Sequence, residues 1–319
     1  MLLTVLLRPL LERYAPAQPN ARSSHKAPTP QGGGIPVITA TIAISGVALY
    51  VAPAAAVAAP QLPIILAAVV LIAGVGVLAD IHRENVALRL LLQTLAVAAV
   101  IFVLPSALRA MPILPLPVER IALVVGGLWF VNLVNFMDGL DWMTVAEVVP
   151  LTTTLAVIGL FGLLPPAAII VSLALCGAMI GFAYFNRPVA KLFLGDVGSL
   201  PIGLLLGWLL VLLAGNGGRA AAILLPLYYL ADSTITLIRR AGNGETIWRP
   251  HRSHFYQRAT DRGFSVLDVV GRVFALNLGL CSLAITTIFF PGRLYALAAL
   301  VVGAALVGWT LVTFGHGRR

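Results

Sequence analysis

The sequence predicts an all-α fold: a polytopic integral membrane helix bundle of ten full transmembrane helices, preceded by a short or partial helix. Hydrophobic residues make up 60% of the 319 positions and charged residues only 10%, whereas soluble domains carry about 25% charged residues. Ten apolar stretches approach the roughly 20 residues that a membrane helix needs. They begin at about Ile35, Leu62, Leu88, Arg120, Trp142, Pro166, Val197, Ala220, Val269 and Leu294.

The same pattern indicates a single domain, residues 1–319. Proline and glycine cluster where apolar stretches meet, as in FGLLPP, so these clusters are short turns and not linkers between domains. The opening segment MLLTVLLRPLLERY is too short to span a bilayer, and it lacks the small-residue cleavage pattern of a secretory signal. We therefore expect a half-helix there.

The distribution of charge predicts the orientation in the membrane. The net charge of +9 comes from 21 Lys+Arg against 12 Asp+Glu. The loops of one side hold only four basic residues, so 21 − 4 = 17 lie on the other side. The four are Arg109, Arg120, Arg219 and Arg293. The positive-inside rule makes the basic side cytoplasmic, and no nucleic-acid partner is expected because the charge reflects this loop bias.

Acidic residues gather on the same side. Five of them lie at or near the cytoplasmic ends of helices: Asp80, Asp138, Asp141, Asp196 and Asp232. A carboxylate costs up to about 3 kcal/mol at the centre of a membrane helix, and such residues usually face a polar cavity. The group predicts a cytoplasmic cleft, although a solvated helix cap is the alternative for any one acid.

The segment GDVGS at 195–199 joins a loop to a helix that begins near Val197. An aspartate at a helix start is most often an N-cap, and taken alone the segment favours that interpretation for Asp196. Lys191 and the flanking glycines also suit a loop that approaches phosphates and a divalent ion.

In the segment NLVNFMDGLD at 132–141, polar residues recur every three positions at the end of an apolar helix. This spacing stacks them on one slowly turning face. Amide and carboxylate oxygens on one face suit Mg²⁺, ribose or uracil. A structural polar seam between helices is the less favoured alternative.

Two basic segments lie on the cytoplasmic side. Residues 239–262 carry six arginines together with His251 and His254, which suit phosphate oxyanions. A patch held on anionic lipid is the alternative, but two histidines at i and i+3 favour a site. The glycines of RSSHKAPTPQGGG at 22–34 could offer free N–H donors to an anion beside Lys26, or the segment could be a linker.

Five blocks, taken in order, resemble the polyprenyl-phosphate N-acetylhexosamine-1-phosphate transferases. This superfamily, glycosyltransferase family 4, includes phospho-N-acetylmuramoyl-pentapeptide transferase. The blocks are RSSHKAPTPQGGG, LADIHRENVALRLLLQ, NLVNFMDGLD, FNRPVAKLFLGDVGS and the RPHRSHFYQR loop after LADSTITLIRR. Each is weak alone, but together they span almost the whole chain on one side of the membrane.

The resemblance implies a cleft that binds a UDP-N-acetylhexosamine donor, Mg²⁺ or Mn²⁺, and undecaprenyl phosphate as acceptor. The products would be UMP and a polyprenyl-diphospho-sugar. It also implies the bacterial inner membrane as the location and suggests a homodimer through membrane helices.

Carried over residue by residue, the resemblance implies three groups of site residues. The catalytic group is Asp80, Asp138, Asp141, Asp196 and His254, with Asp196 and Asp138 on the metal. Nucleotide-sugar contacts are implied for Asn135, Asn186, Lys191 and Phe193, the last by stacking on uracil. Phosphate contacts are implied for Lys26, Arg89, Lys191, Arg252 and His254.

The chain departs from the family pattern in two places. The family commonly has a paired Asp-Asp after the third span, where this chain has Ala79 and Asp80. This departure argues against a mechanism that needs the first acid as general base, and it leaves Asp80 as a base or an orienter. Of the clustered histidines of the family only His254 remains, followed by FYQ. The form HRSHFYQR resembles the branch that starts O-antigen and related surface glycans.

Two other functions stay open. A secondary transporter should show inverted repeats and charges at the membrane midplane, and the sequence shows neither. An inactive relative that acts as a scaffold is suggested by Ala79.

Overall fold

A computed structural model describes residues 1–14, 16–17, 29–81, 85–246 and 251–317. The regular secondary structure of this part of the chain is helical except for two strands of two residues, β1 (Pro16–Ala17) and β2 (Thr29–Pro30), which pair antiparallel. The helices are α1 (Leu2–Tyr14), α2 (Gly34–Val51), α3 (Pro53–Val57), α4 (Leu62–Ile81), α5 (Val86–Phe102), α6 (Leu116–Met137), α7 (Met143–Ile158), α8 (Pro166–Ala183), α9 (Asp196–Gly215), α10 (Arg219–Leu224), α11 (Leu227–Gly242), α12 (Phe255–Asp261), α13 (Val266–Phe289) and α14 (Arg293–His316). The all-α class predicted from the sequence is confirmed.

Among the described residues, eight helices are long and apolar enough to cross a membrane. They are α2, α4, α6, α7 with its π-helical extension to Leu163, α8, α9, α13 and α14. Each begins within four residues of a predicted start. The count of ten spans stays a prediction, because α5 is apolar but has only 17 residues. The helix α1, with 13 residues, has the length expected of a half-helix.

The span predicted from Ala220 is not one continuous helix, so that prediction is wrong. The helix α10 ends at Leu224, and α11 begins at Leu227 after Pro226. Proline interrupts a helix because it lacks the backbone N–H and its ring clashes with the preceding turn. The segment therefore forms two short helices.

The helix α9 lies at the centre of the bundle. Within the structure 83% of its apolar span is buried, against 28% of α14. It packs against α2, α4 and α6. Its sequence is apolar on every face, which is typical of a helix surrounded by other helices. These neighbours fix the position of its first turn.

Glycines allow the neighbouring helices to approach this first turn. A Cβ on Gly34 of α2 would lie 2.2 Å from the Cα of Gly198, and a Cβ on Gly76 of α4 would lie 2.5 Å from the carbonyl carbon of Asp196. Small residues at such crossings let backbones come into direct contact. A larger residue at Gly34 or Gly76 would push the first turn of α9 away.

Three of the four arginines predicted on the opposite side of the membrane are bound within the protein. Arg219 Nε donates to the Ala110 carbonyl at 3.0 Å. Arg120 is only 4% exposed, and its guanidinium donates to the carbonyls of Ile101 at 2.9 Å and Pro105 at 2.7 Å, where α5 ends. Arg109 pairs with Glu119. These side chains serve the fold by satisfying buried acceptors.

Candidate active site

The first turn of α9 forms the centre of the site. Gly195 occupies the N-cap position, so the interpretation of Asp196 as the cap of its own helix is wrong. The Asp196 carboxylate instead accepts hydrogen bonds from two other helices. Arg89 Nη1 donates to Oδ2 at 3.2 Å, and Asn135 Nδ2 donates to Oδ1 at 2.7 Å. About a quarter of the Asp196 side chain stays exposed (27%), so a ligand can still reach it.

Asp80 caps α9 from the neighbouring helix α4. Its Oδ1 accepts a hydrogen bond from the Asp196 N–H at 3.0 Å, and its Oδ2 accepts one from the Val197 N–H at 3.2 Å. Gly195 has φ +77°, and a Cβ there would lie 2.6 Å from Asp80 Oδ2, so both the conformation and the space require glycine. Of the two roles expected for Asp80, these hydrogen bonds favour the orienting one.

Asp138 follows the last turn of α6 and accepts a hydrogen bond from Thr144 Oγ1. Burial raises the pKa of Asp138 to about 8, the Thr144 bond opposes that rise, and the charges of Asp196, Asp80 and Asp141 add to it. A carboxylate responds in this way only to charges that lie near it. Four of the five acids therefore share one region, as the sequence predicts, whereas Asp232 lies within α11 and not at a helix end.

Asp141 and Asn186 build the loop that joins α8 to α9. Asp141 Oδ2 accepts a hydrogen bond from the Ala190 N–H at 2.9 Å. The Asn186 amide accepts from the Trp142 N–H at 2.8 Å and donates to the Leu192 carbonyl at 2.9 Å. Both side chains are buried, at 6% and 7% exposure. They shape the loop, and a nucleotide contact for Asn186 stays a prediction.

The glycines at the start of α2 are bound to this loop. The N–H groups of Gly33 and Gly34 donate to the carbonyls of Phe193 and Leu194, each at 2.8 Å. These donors are occupied, so of the two alternatives for this segment the anion cradle of free N–H groups is wrong for these two glycines. Lys26, the predicted cation beside them, lies outside the described residues.

Three predicted ligand contacts have exposed surface. Lys191 is exposed and Phe193 is half-buried. Arg252 is 25% exposed, and its Nη2 donates to Thr260 Oγ1 at 3.1 Å and lies 3.2 Å from Oδ1 of Asp261. Stacking on uracil by Phe193 and contact with phosphate by Lys191 and Arg252 stay predictions.

His254 is the least exposed of the predicted phosphate contacts on described residues, at 2%. Its Nδ1 lies 3.1 Å from Oδ1 of Asp232 on α11. The ring stacks on His251, with the ring centroids 4.9 Å apart. Little of the ring is therefore exposed, and a phosphate contact for His254 stays a prediction.

The basic loop, by which we mean the described part of residues 239–262, docks against the end of α6 through Tyr256. The Tyr256 hydroxyl donates to the Phe136 carbonyl at 2.9 Å. A Cβ on Gly139 would lie 2.1 Å from this hydroxyl oxygen, so only glycine leaves room for Tyr256 there. The loop thus lies beside the segment from Asn135 to Asp138, and its basic side chains come to the same end of the bundle as the acids.

The polar side chains of residues 132–141 do not all face the same partner. Asn132 Nδ2 donates to Gln93 Oε1 at 2.8 Å, a buried bond between α5 and α6. This contact is the helix–helix seam that the sequence made the less favoured alternative. The prediction of one ligand-binding face is therefore wrong for Asn132, whereas Asn135 reaches Asp196.

Three supporting residues have no role in the predictions made from sequence. Gln31 Nε2 donates to the Asp80 carbonyl at 2.9 Å, Ser199 Oγ accepts from Asn135 Nδ2 at 2.9 Å, and Thr144 binds Asp138. Gln31 and Ser199 lie inside the PQGGG and GDVGS motifs. Their place inside these motifs was the one sequence feature that could have indicated a role for them.

The residues fit a Mg²⁺ site that substrate completes. In the parts of the chain that the structure describes, no three His, Cys, Asp or Glu side chains gather to hold a metal by themselves. Mg²⁺ commonly binds through one or two carboxylates plus substrate phosphates and needs no such cage. Asp196 offers a partly exposed carboxylate beside the Asn135 amide. Burial raises the pKa of Asp138 to about 8 and so favours its protonated form at neutral pH, which makes Asp196 the better placed of the two predicted metal ligands.

Comparison with known proteins agrees with the motifs. Residues 62–214 match the model of glycosyl transferase family 4. The chain is 28% identical over 304 residues to a probable undecaprenyl-phosphate N-acetylglucosaminyl 1-phosphate transferase of Bacillus subtilis, an alignment that covers 86% of this chain and 81% of the relative. It is 28% identical over 337 residues to a decaprenyl-phosphate N-acetylglucosaminephosphotransferase of Mycobacterium leprae, covering 94% of this chain and 81% of the relative.

Similarity to a phospho-N-acetylmuramoyl-pentapeptide-transferase of Clostridium beijerinckii covers a shorter stretch. The two are 30% identical over 155 residues, which is 47% of this chain and 45% of the relative. The longer alignments agree with the sequence resemblance to a branch distinct from that transferase. Residues 62–214 thus match glycosyl transferase family 4, and the chain is similar along most of its length to relatives named as polyprenyl-phosphate N-acetylglucosamine-1-phosphate transferases.

Proposed function

We propose that this protein transfers an N-acetylhexosamine 1-phosphate from a UDP-sugar to undecaprenyl phosphate, giving a polyprenyl-diphospho-sugar and UMP. One observation carries the proposal. The Asp196 carboxylate lies at the first turn of α9 between Arg89 and Asn135, at the end of the bundle where the basic loop docks. The coarser class, a membrane-bound sugar-1-phosphate transferase, rests on the family and on the apolar helices.

The proposed reaction joins two anions. An oxygen of the acceptor phosphate attacks the sugar-bound phosphorus of the donor, the bond from that phosphorus to the bridging oxygen breaks, and UMP leaves with this oxygen and its electron pair. The second pKa of a phosphate monoester is about 6, so the acceptor is largely a dianion at neutral pH and needs little deprotonation. Positioning and relief of charge repulsion are then the main requirements.

The residues around α9 suit these requirements. Asp196 would hold Mg²⁺, or Mn²⁺ in its place, which supplies charge neutralisation at the donor diphosphate. Arg89, with Nη1 3.2 Å from Asp196 Oδ2, brings a guanidinium that can bind phosphate oxygens in a bidentate manner. Asp80 orients this turn through two backbone hydrogen bonds. Both oxygens of Asp80 act as acceptors there, so we assign it no role as a base, and Ala79 at the preceding position is compatible with activity.

The other predicted residues complete the proposed site. Nucleotide contacts are assigned to Asn135, Asn186 and Phe193, and phosphate contacts to Lys26, Lys191, Arg252 and His254. Asp138 and Asp141 line the same cleft. Lys191 and Phe193 have the exposure that a ligand contact needs.

The proposed location is the cytoplasmic face of the bacterial inner membrane. The loop charges support it, because 17 of the 21 basic residues fall on the side of the acids. The relatives with the longer alignments are named for N-acetylglucosamine. UDP-N-acetylglucosamine is therefore the first donor to test. A role in O-antigen synthesis and a homodimer rest on the family resemblance alone.

A donor screen tests the proposal. Purified protein in nanodiscs is incubated with Mg²⁺, undecaprenyl phosphate and each of several radiolabelled UDP-N-acetylhexosamines, and the lipid and nucleotide fractions are separated. We expect labelled lipid and an equal amount of UMP with at least one donor. A transporter would instead carry label into proteoliposomes without labelling lipid, and an inactive scaffold would do neither. No labelled lipid with any donor would overturn the proposal.

A further inference from the structure

We propose that Asp232 is a positioning residue for the transfer reaction: it fixes the His254 ring and the first turn of α12, and through them the basic loop beside Asn135. The sequence marks Asp232 only as one of five acids, and no site role is predicted for it. The inference rests on the proposed function, because a positioning role has meaning only for a reaction at this site.

The Asp232 carboxylate is a fully buried hub of hydrogen bonds. None of the side chain is exposed (0%), and its two oxygens have five hydrogen-bond partners. The partners of Oδ1 are the Phe255 N–H (3.0 Å), His254 Nδ1 (3.1 Å) and Thr236 Oγ1 (3.3 Å), and those of Oδ2 are the Tyr256 N–H (3.1 Å) and the Tyr228 hydroxyl (3.2 Å). Three of the five come from residues 254–256, so the carboxylate holds the start of α12.

The donor set decides where the proton of the His254 contact lies. An ionised carboxylate only accepts hydrogen bonds. The backbone N–H groups of Phe255 and Tyr256 can only donate, so both oxygens of Asp232 are acceptors. Nδ1 of His254 therefore carries the proton, and Nε2 is the nitrogen left for other partners. A carboxylate that fixes one ring nitrogen in this way sets the tautomer and the orientation of the other.

A short series of contacts connects this histidine to the Asp196 site. The His254 ring lies beside the Phe136 ring, with the centroids 6.3 Å apart. The Phe136 carbonyl accepts the hydrogen bond of Tyr256. The preceding residue, Asn135, donates to Asp196. A shift of His254 would therefore move the loop relative to the carboxylate on which the proposed metal depends.

The first experiment compares two variants that act on the same carboxylate. Asp232→Asn replaces one acceptor oxygen by an NH₂ group, which faces either the Tyr256 N–H or the His254 and Phe255 donors. Tyr228→Phe removes one donor to Oδ2 and leaves those three contacts in place. In the transfer assay we expect Asp232→Asn to lower kcat by about tenfold or more, the usual effect of removing an orienting partner, with a smaller change in KM. We expect Tyr228→Phe to keep most of its kcat.

Nitrogen-15 NMR gives a readout that a purely structural role would not move. The chain has five histidines, and His254→Gln identifies the signals of His254 among them. We expect the wild-type spectrum to show a protonated Nδ1 on His254, and Asp232→Asn to change that signal. If the variant does not fold, the wild-type spectrum still decides, because an unprotonated Nδ1 overturns the inference.

A double variant completes the test. If Asp232 acts through His254, then Asp232→Asn combined with His254→Gln loses no more activity than His254→Gln alone. Full addition of the two losses, or wild-type kcat in Asp232→Asn, overturns the inference. Failure of the proposed function looks different, because the wild-type protein would then transfer no sugar phosphate to lipid with any donor.

Discussion

The carboxylate of Asp80 caps the helix that begins at Asp196, a residue 116 positions further along the chain. Its two oxygens accept the first two N–H groups of α9, from Asp196 and Val197. Helix N-termini have unpaired N–H groups and favour negative charge. The arrangement gives Asp80 a role in orienting Asp196, and it separates the expected effects of changing the two acids.

Asp80→Asn is expected to retain more transfer activity than Asp196→Asn. The amide at position 80 keeps one acceptor oxygen for α9 at a cost of about 1 kcal/mol, whereas position 196 loses the charge proposed to bind Mg²⁺. The measurement is kcat of purified variants at saturating Mg²⁺. Asp268→Asn, which alters the capping box at the exposed start of α13, controls for a general effect of losing a capping acid. The reverse ranking would remove the metal assignment from Asp196.

Gly195→Ala is expected to destabilise the protein strongly. The residue has φ +77°, and the added Cβ would lie 2.6 Å from Asp80 Oδ2. Backbone strain of this kind costs about 1–3 kcal/mol, and displacement of the Asp80 carboxylate adds to it. Gly217→Ala is the matched control, because Gly217 has φ +101° but open space around its Cβ position. Thermal unfolding should show the larger loss for Gly195→Ala, and equal losses would contradict the contact with Asp80.

The stability of the metal-free protein is expected to fall as pH rises toward about 8. Burial raises the pKa of Asp138 from 3.8 to about 8. The folded state therefore binds the proton over a range where the unfolded chain has lost it, and stability declines across that range. Asp138→Asn should flatten the decline of Tm measured with a chelator present. Glu245→Gln, at a carboxylate that is 47% exposed, should leave the slope unchanged. An unchanged slope in Asp138→Asn would contradict the raised pKa.

Arg120→Met is expected to destabilise the fold without touching the site. The guanidinium of Arg120 is bound to the carbonyls of Ile101 and Pro105 and is 4% exposed. Each buried carbonyl left without a donor costs about 1–3 kcal/mol. Arg293→Met removes an exposed arginine from the same side of the membrane and should change Tm little. A loss in Arg293→Met as large as in Arg120→Met would show that loop charge, and not the buried hydrogen bonds, sets stability.

The positions of the helices were readable from the sequence because a membrane span needs a continuous apolar stretch. This rule placed the start of α4 at Leu62 and of α8 at Pro166, as observed. It failed at Ala220, where one proline divides an apolar stretch without altering its average composition. The second uncertain span is α5. It is apolar, but its 17 residues are fewer than the roughly 20 that a membrane helix needs.

Most members of the acidic cluster were predictable, but their contacts were not. Four of the five acids come together because each lies at or next to a helix end, whereas Asp232 lies within α11. Asn132 and Asn135 look equivalent in the sequence, yet the rotation of α6 turns one toward Gln93 and the other toward Asp196. The N–H of Gly33 is likewise bound by a carbonyl 160 residues away. Such pairings depend on tertiary packing, so the spacing of residues along the sequence does not predict them.

Magnesium dependence of sugar-phosphate transfer tests the role of Asp196 most directly. The wild-type protein and Asp196→Asn are assayed with a labelled donor and undecaprenyl phosphate, with chelator and then with increasing Mg²⁺. We predict that wild-type transfer is lost with chelator and restored by Mg²⁺. Asp196→Asn should stay inactive, or need far more Mg²⁺, while keeping a wild-type Tm. Transfer by the wild type without any divalent ion, or an unchanged Mg²⁺ requirement in Asp196→Asn, would contradict a metal-assisted reaction at this residue.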